Sequence, residues 1–294
     1  MKILITGGSG LLGQYLNIVL SEKYDILTLY NSNVGNCYQF NSVKIDLKNK
    51  DALKSIFERF KPNLVVHSAA ITYSLLDNKY SLKEYYDNNV LVTKFVSELC
   101  AEFNSKMIYI STDLVYDGNR GSYLEENSKL NPASAYAETK LIGEEYVKKI
   151  IENYVILRLA LLFGFGLNHS ICHFQTMYKN LIENKPVKLF TDQFRSPISI
   201  SEASKIIYKI IELDAPKGIY NLGGQERLSR YELGELLAKK IRAKPELLIP
   251  SSLKEAETVP FVKDVSLNTN KIRNLGIGIS SLEIMLNEIL KNPK

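Results

Sequence analysis

In the first half of the chain, short and nearly continuous apolar runs alternate with longer stretches whose apolar residues recur at helical spacing. Lys2–Thr6, Asp25–Tyr30, Ser42–Asp46, Asn63–His67, Lys106–Ile110 and Tyr154–Arg158 read as strands. Leu11–Ser21, Lys50–Phe60, Tyr80–Phe103 and Tyr136–Ile151 read as helices, the second with Leu53, Ile56, Phe57 and Phe60 on one face. Strands without a polar face are covered on both sides, and helix-separated strands with right-handed crossovers predict an α/β, doubly wound, mainly parallel sheet. After "LFGFG" the rhythm changes. Ser170–Asn184, Ser201–Leu213, Ser229–Arg242 and Ser281–Leu290 read as helices, with short apolar pieces at Val187–Phe190 and Gly218–Leu222. The expected organisation is a nucleotide-binding unit over residues 1–163 and a smaller, mixed and partly helical substrate-binding region over 164–294. Residues 187–213 are expected to return to the first unit. "SSLKEAETVP" reads as a surface loop, and the chain shows no repeats or low-complexity segments.

Composition narrows the classes. A chain of 294 residues buries a sizeable core, and 45% hydrophobic with 23% charged residues is ordinary for a soluble globular protein. The net charge of +5 is spread along the sequence, so it forms no basic arm for nucleic acid and attracts small anions weakly. Cys37, Cys100 and Cys172 are far apart without CxxC spacing, which argues against a disulfide framework or structural zinc and for a reducing, cytoplasmic setting. "MKILITGG" runs straight into a strand and does not read as a secretory signal. No run approaches the ~18 apolar residues of a membrane span. A small-molecule partner is expected, neither nucleic acid nor membrane.

"ILITGGSGLLGQYL" sets Gly7, Gly10 and Gly13 between the first strand and the first helix. The first glycine permits a tight turn, the second a close approach of backbone to a pyrophosphate, and the third contact of helix and strand. The alternative is a tight turn with no ligand, but the strand–loop–helix context predicts a Rossmann-type dinucleotide site. The second strand ends Leu29-Tyr30-Asn31-Ser32-Asn33, with neither the carboxylate that grips a ribose 2′-OH nor a basic residue for a 2′-phosphate. Without a repelling carboxylate, and with Asn31 and Ser32 as donors, NADP(H) is favoured and NAD(H) admitted. Asp46 in "VKIDL" is placed either to accept from the adenine amino group or to serve as a helix N-terminal carboxylate, and both readings stand.

The stretch "YISTDLVYDGNRGSYLEENSKLNPASAYAETK" sets Thr112, then Tyr136, then Lys140 after an apolar strand. Hydride delivery to a ketone builds negative charge on its oxygen, and an acid must supply a proton there. A phenol with pKa ~10 is a sluggish acid–base group at neutral pH, and a nearby ammonium is expected to lower it. Tyr136 and Lys140 are spaced to share one helical face. Thr112 ends the strand, where open parallel sheets hold ligands. The competing readings are a surface Tyr–Lys pair and a threonine serving as a turn or cap residue.

These motifs, with "NLVVHSAA", "NNVLVTKFV", "GIYNLGGQERLSRYELGELLAKKI" and "LNTNKIRNLG", resemble the extended short-chain dehydrogenase/reductase family over nearly the whole chain. Within it, "STDLVYDG", "YAETKLIGEE" and "DQFRSPISI" are most similar to the dTDP-4-dehydrorhamnose reductases. The resemblance implies reduction of the 4-keto group of a nucleotide-linked deoxysugar, with Thr112, Tyr136 and Lys140 as the catalytic trio. It implies cofactor contacts from Gly7, Gly10, Leu11, Leu12, Asn31, Ser32, Asp46, Leu47, Ala69, Ala70, Asn89, Tyr136 and Lys140. It implies substrate contacts from Thr112, Asp113 and Val115, and a homodimer through Tyr80–Phe103 and the helix bearing Tyr136; Arg195 reads either as a phosphate or substrate contact or as a surface arginine. The chain departs from the reductase pattern at Leu114, where tyrosine is usual, and at Arg195-Ser196-Pro197-Ile198, where Gly-x-Pro-Thr is usual. Leu159 replaces a hydroxyl residue, and "VPFVKDVSLN" lacks an Arg-Pro pair. His169 and His173 share metal-ligand spacing without the accompanying glutamate, so no metal site is expected, and His67 reads as core. Two other functions remain open. One is a sugar-nucleotide epimerase of the same superfamily. The other is a non-catalytic, cofactor-binding regulatory subunit, of which the beta subunit of methionine adenosyltransferase is the example.

Overall fold

The structure is a computed structural model that describes residues 1–72, 80–119, 122–255 and 262–291. The apolar runs pair as β1 (Lys2–Thr6), β2 (Asp25–Tyr30), β3 (Ser42–Lys44), β4 (Leu64–His67), β5 (Lys106–Thr112) and β6 (Tyr154–Leu159). Shorter strands follow: β7 (Leu162–Phe163), β8 (Val187–Phe190), β9 (Phe194–Arg195), β10 (Ile198–Ser199), β11 (Gly218–Leu222), β12 (Leu228–Ser229) and β13 (Leu248–Ser251). The central sheet has seven strands in the order β11-β6-β5-β4-β1-β2-β3, all parallel. Strand order reverses between β1 and β4, which places a ligand crevice above Thr6 and His67, partners in register at their carboxyl ends.

Helices cover both faces. They are α1 (Leu11–Ser21), α2 (Lys50–Phe60), α3 (Leu82–Tyr85), α4 (Val92–Glu102), α5 (Ala135–Ile150), α6 (His173–Ile182), α7 (Ile200–Glu212), α8 (Arg230–Ile241), α9 (Asn270–Arg273) and α10 (Leu282–Leu290). Side chains alternate across each strand. Ile3 and Ile5 join Leu16 of α1 and Ile207 of α7, while Leu4 joins Phe57 of α2, Val96 of α4 and Val147 of α5. The doubly wound architecture expected from the sequence is therefore present.

Several boundaries differ from expectation. The long helix begins at Leu82, where Ser81 and Glu84 form a reciprocal cap, and it passes through a π-helical turn at Tyr86–Leu91. The helix expected from Ser170 begins at His173, and the third strand ends at Lys44. The chain returns to the sheet through α7, packed on α1, and through β11, paired with β6. Val187–Phe190 does not return with them, because it pairs with β13. Of the expected surface loop, Ser251 closes β13, Leu253–Glu255 makes a 3-10 turn, and residues 256–260 lie outside the described residues. Among the described residues no helix is long and apolar enough to cross a membrane.

Candidate active site

Gly7 has φ +68, and a Cβ there would lie 2.7 Å from the backbone nitrogen of Ala69. A Cβ on Gly13 would lie 2.2 Å from the Gly7 carbonyl oxygen. Both positions therefore require glycine for the loop to close under α1. Gly10 caps α1 in an extended conformation, contributes no side-chain cap, and no acidic residue follows in the first turn. The first N–H groups of α1 are thus left for an external anion, favoured by the helix dipole. Gln14 locks the flanking loops: its Oε1 accepts from Asn36 N (3.0 Å) and Asn168 Nδ2 (2.7 Å), and its Nε2 donates to the Leu167 carbonyl (2.9 Å).

The loop separates two adjoining recesses that share Gly7, Gly10, Ser68 and Ala70. The first, about 240 Å³, is lined by Asn31, Ser32, Leu47 and Ala69 and by neither an acid nor a base. The second, about 480 Å³, brings together Leu11, Leu12, Thr112, Asp113, Tyr136, Lys140 and Arg195. Asp46 lines neither recess: its carboxylate accepts from Lys48 N (3.0 Å) and lies 3.5 Å from Lys48 Nζ. Val115 also lies away from them, fully buried with Tyr116, Ala160, Val265 and Leu267. Asn89 acts from behind. It accepts from Ile71 N (2.8 Å) and donates to the Ile71 carbonyl (3.0 Å) and to Thr139 Oγ1 (3.1 Å), tying the segment after β4 to α5.

Thr112 ends β5, accepts from Leu114 N (3.3 Å) and donates to Asp113 Oδ1 (3.3 Å). Tyr136 lies in the first turn of α5, whose N-cap Ser134 accepts from Ala137 N (3.2 Å). Burial raises the Tyr136 pKa first and the Asp113 charge second, while a hydrogen bond with Thr112 pulls it down. The direction is opposite to the one expected from a neighbouring Lys140, because burial of the phenol and the Asp113 charge dominate. Lys140 is buried, and burial brings its pKa down to about 7 against the opposing charge of Glu144. Its Nζ sits 4.0 Å from the centroid of the Tyr109 ring. The arrangement holds a protonated phenol and a threonine hydroxyl together beside a titratable ammonium.

Buried hydrogen bonds fix this set. Thr93 donates to the Asn89 carbonyl (2.6 Å), so its oxygen accepts from His67 Nε2–H (3.0 Å), and His67 Nδ1 accepts from Thr6 Oγ1 (2.6 Å). Burial holds His67 neutral, with its pKa down at about 3. Below α5, Ser111 donates to Glu144 (2.6 Å), which Arg158 grips through Nε (3.0 Å) and Nη2 (2.7 Å).

The second recess also holds Arg230, the first residue of α8, which the sequence did not single out, together with Ser68, Cys172 and His173. Its Nε donates to Gln193 Oε1 (3.2 Å). Its signal in the sequence was an arginine in the first turn of a helix, where a cation is disfavoured by the dipole and wants another reason. His173 is pulled down to about 4 by burial and then by the Arg230 charge.

A glycine loop at the switch point of a doubly wound sheet, beside a Thr-Tyr-Lys set at a strand end, defines an oxidoreductase fold of the extended short-chain dehydrogenase/reductase superfamily. Within it, the chain belongs to the family described as RmlD substrate binding domain, whose model matches residues 1–293. It is 27% identical over 253 residues to dTDP-4-dehydrorhamnose reductase of Aggregatibacter actinomycetemcomitans, covering 82% of this chain and 81% of that one. It is also 27% identical over 284 residues to methionine adenosyltransferase 2 subunit beta of Xenopus tropicalis, covering 94% and 83% of the two. The crystal structure of dTDP-4-dehydrorhamnose reductase from Bacillus anthracis in complex with NADP matches with a TM-score of 0.85 over 99% of this chain and 98% of that one. Its identity is 24%, a likeness of fold.

Proposed function

We propose that the protein reduces the 4-keto group of a nucleotide-activated deoxysugar with NADPH, NADH being admitted. The observation that carries this reading is the meeting of Thr112, Tyr136 and Lys140 in the recess that adjoins the glycine loop. The uncapped start of α1 and the close approach at Gly7 fit a dinucleotide pyrophosphate, and the uncharged Asn31–Ser32 wall admits a 2′-phosphate. The bound dihydronicotinamide supplies the hydride. Thr112 holds the substrate oxygen in line with the phenol, and Tyr136 donates its proton to that oxygen. Lys140 stabilises the resulting phenolate by its charge. Three free cysteines suit a reducing cytoplasm. Exposed Leu82, Tyr86 and Leu91 suit a homodimer through the long helix.

The test is NADPH oxidation followed by absorbance with dTDP-4-keto-6-deoxyglucose or its epimerised form. Tyr136→Phe should lower sugar-dependent turnover by roughly 10²–10⁴-fold, the range for a lost acid–base group, and keep NADPH binding. The likeness to methionine adenosyltransferase 2 subunit beta favours a second reading, a cofactor-binding regulatory subunit without turnover. Cofactor binding without sugar-dependent oxidation, unchanged by Tyr136→Phe, would replace the first reading with the second.

A further inference from the structure

Gln14 sits one turn into α1, and its side chain is fully buried. Its Oε1 accepts from Asn36 N (3.0 Å) and Asn168 Nδ2 (2.7 Å), and its Nε2 donates to the Leu167 carbonyl (2.9 Å) and to Ser170 Oγ (3.0 Å). A carboxamide has two acceptor and two donor positions, so the group is saturated. The Gln14 backbone carbonyl also accepts from Asn36 Nδ2 (2.8 Å). Asn17 Nδ2 in turn donates to Asn36 Oδ1 (2.9 Å) and to the Gly8 carbonyl (2.9 Å) of the glycine loop. Gly35 presses on the same carboxamide: it has φ +53, and a Cβ there would lie 2.8 Å from Gln14 Oε1.

The partners belong to two segments far apart in the chain, and each segment leads into a different recess. Residues 31–36 begin with Asn31 and Ser32, which line the first recess. Residues 165–170 run directly into Ile171, Cys172 and His173, which line the second. Neither segment has a helix or strand of its own. A ligand that orders an irregular segment does so against its conformational entropy, and two segments anchored on one group share that ordering. A buried amide with every bond made favours one arrangement, so a shift of either segment disturbs the anchor of the other. We infer that Gln14 is a positioning residue that joins the two recesses into one unit, so that the adenosine end of the cofactor in the first recess orders the wall of the second. The inference rests on the cofactor placement proposed above and adds a route by which cofactor occupancy prepares the sugar side. The Tyr15 hydroxyl donates to the Phe165 carbonyl (2.7 Å), so the second segment stays moored to α1 when the carboxamide is removed.

Hydrogen–deuterium exchange of the full chain with adenosine 2′,5′-bisphosphate tests it, because this ligand has the adenosine end of NADPH and lacks the nicotinamide half. In the wild type it should slow exchange over 31–36 and also, by about fivefold or more, over 165–173. Gln14→Met fills similar space without hydrogen bonds; protection of 31–36 should remain and protection of 165–173 should vanish. Protection confined to 31–36 in the wild type, or undiminished over 165–173 in Gln14→Met, overturns the coupling. If Gln14→Met does not fold, Asn168→Gly carries the test. Asn168 is exposed with φ 53, which glycine adopts freely, and the change removes only its bond to Gln14 Oε1. It should reduce the protection of 165–173 and spare that of 31–36, and equal protection of both overturns the coupling. A bisphosphate that protects neither segment of the wild type sinks the cofactor placement instead. Exchange without ligand then decides whether the segments are joined: either variant should speed it in both together, and a rise in one alone overturns the joined unit.

Discussion

Lys140 is the residue on which opposing influences converge. Burial pulls its pKa to about 7, Glu144 pushes it back up, and the face of the Tyr109 ring favours the charged form by ~0.5–2 kcal/mol. The groups facing it are Tyr109 from β5, His67 from β4 and Glu144 from α5. Tyr109 is held in place by donating to the Lys140 carbonyl (3.3 Å) and by stacking on His67. The ammonium is present below its pKa and lost above it, so reductive turnover should fall as pH rises through about 7. Tyr109→Leu removes a stabiliser of the cation and should move that fall to lower pH by about half a unit to one and a half units. Tyr109→Phe keeps the ring and should keep the profile, and an identical profile in all three proteins would remove Tyr109 from the mechanism. Asn31 offers a second test at this scale. Asn31→Asp puts a carboxylate into a recess that has no charge, so NADPH affinity should drop about tenfold or more while NADH is spared or gains. A fluorescence titration showing NADPH undiminished would mean that the 2′-phosphate lies elsewhere. The helical spacing of Tyr136 and Lys140 was readable from the chain, whereas the direction of the Tyr136 shift was not. Spacing fixes which groups are neighbours, and packing fixes how much water they keep.

The long helix shows what an element adds to its residues. Apolar periodicity identifies Tyr80–Phe103 as helical, but the π-helical turn at Tyr86–Leu91 leaves no mark in that pattern. That turn carries Asn89, whose amide reaches the segment after β4 and Thr139 on α5. Asn89 therefore holds the backbone after β4 and lines neither recess. Asn89→Ala leaves the Ile71 N–H and carbonyl without their partners, and should cost about 2–4 kcal/mol of stability in urea denaturation. Because Thr139 shares α5 with Tyr136 and Lys140, kcat should fall more than NADPH affinity. A variant with wild-type stability and kcat would show the clamp to be dispensable. Other elements were illegible for a different reason. β9, β10 and β12 are two residues long, too short for any period, and exist only because the folded chain brings partners alongside them. β11 was legible as an apolar run, but its place beside β6 is a matter of topology that local sequence does not encode.

At the scale of the molecule, the order of apolar runs was enough to read the doubly wound sheet, and the glycine loop was enough to place the crevice. The residues that join the crevice from the second half, Arg195 and Arg230, are separated from Thr112 by long chain, and only the return of α7 and β11 to the sheet brings that half over the site. The same depth of burial sets how the whole protein responds to acid. His67 is fully buried between β1 and α4, hydrogen-bonded as a neutral ring, faced by Tyr109 and by the charge of Lys140. Its pKa falls from 6.5 to about 3 on folding, so between those values the unfolded chain binds a proton that the folded chain does not. Stability must then fall as pH drops from 6.5 towards 3, by several kcal/mol if fully expressed. His173, brought down to about 4, adds to the loss over the upper part of the same window. Urea unfolding at pH 7, 5.5 and 4 should show a steep decline for the wild type. His67→Gln should be less stable at pH 7, having lost shape and one hydrogen bond, yet should decline less between pH 6.5 and 4 because nothing at that position takes up a proton on unfolding. Parallel declines in the two proteins would mean that His67 already carries its charge in the folded state, and that Thr6 and Thr93 bind an imidazolium beside Lys140.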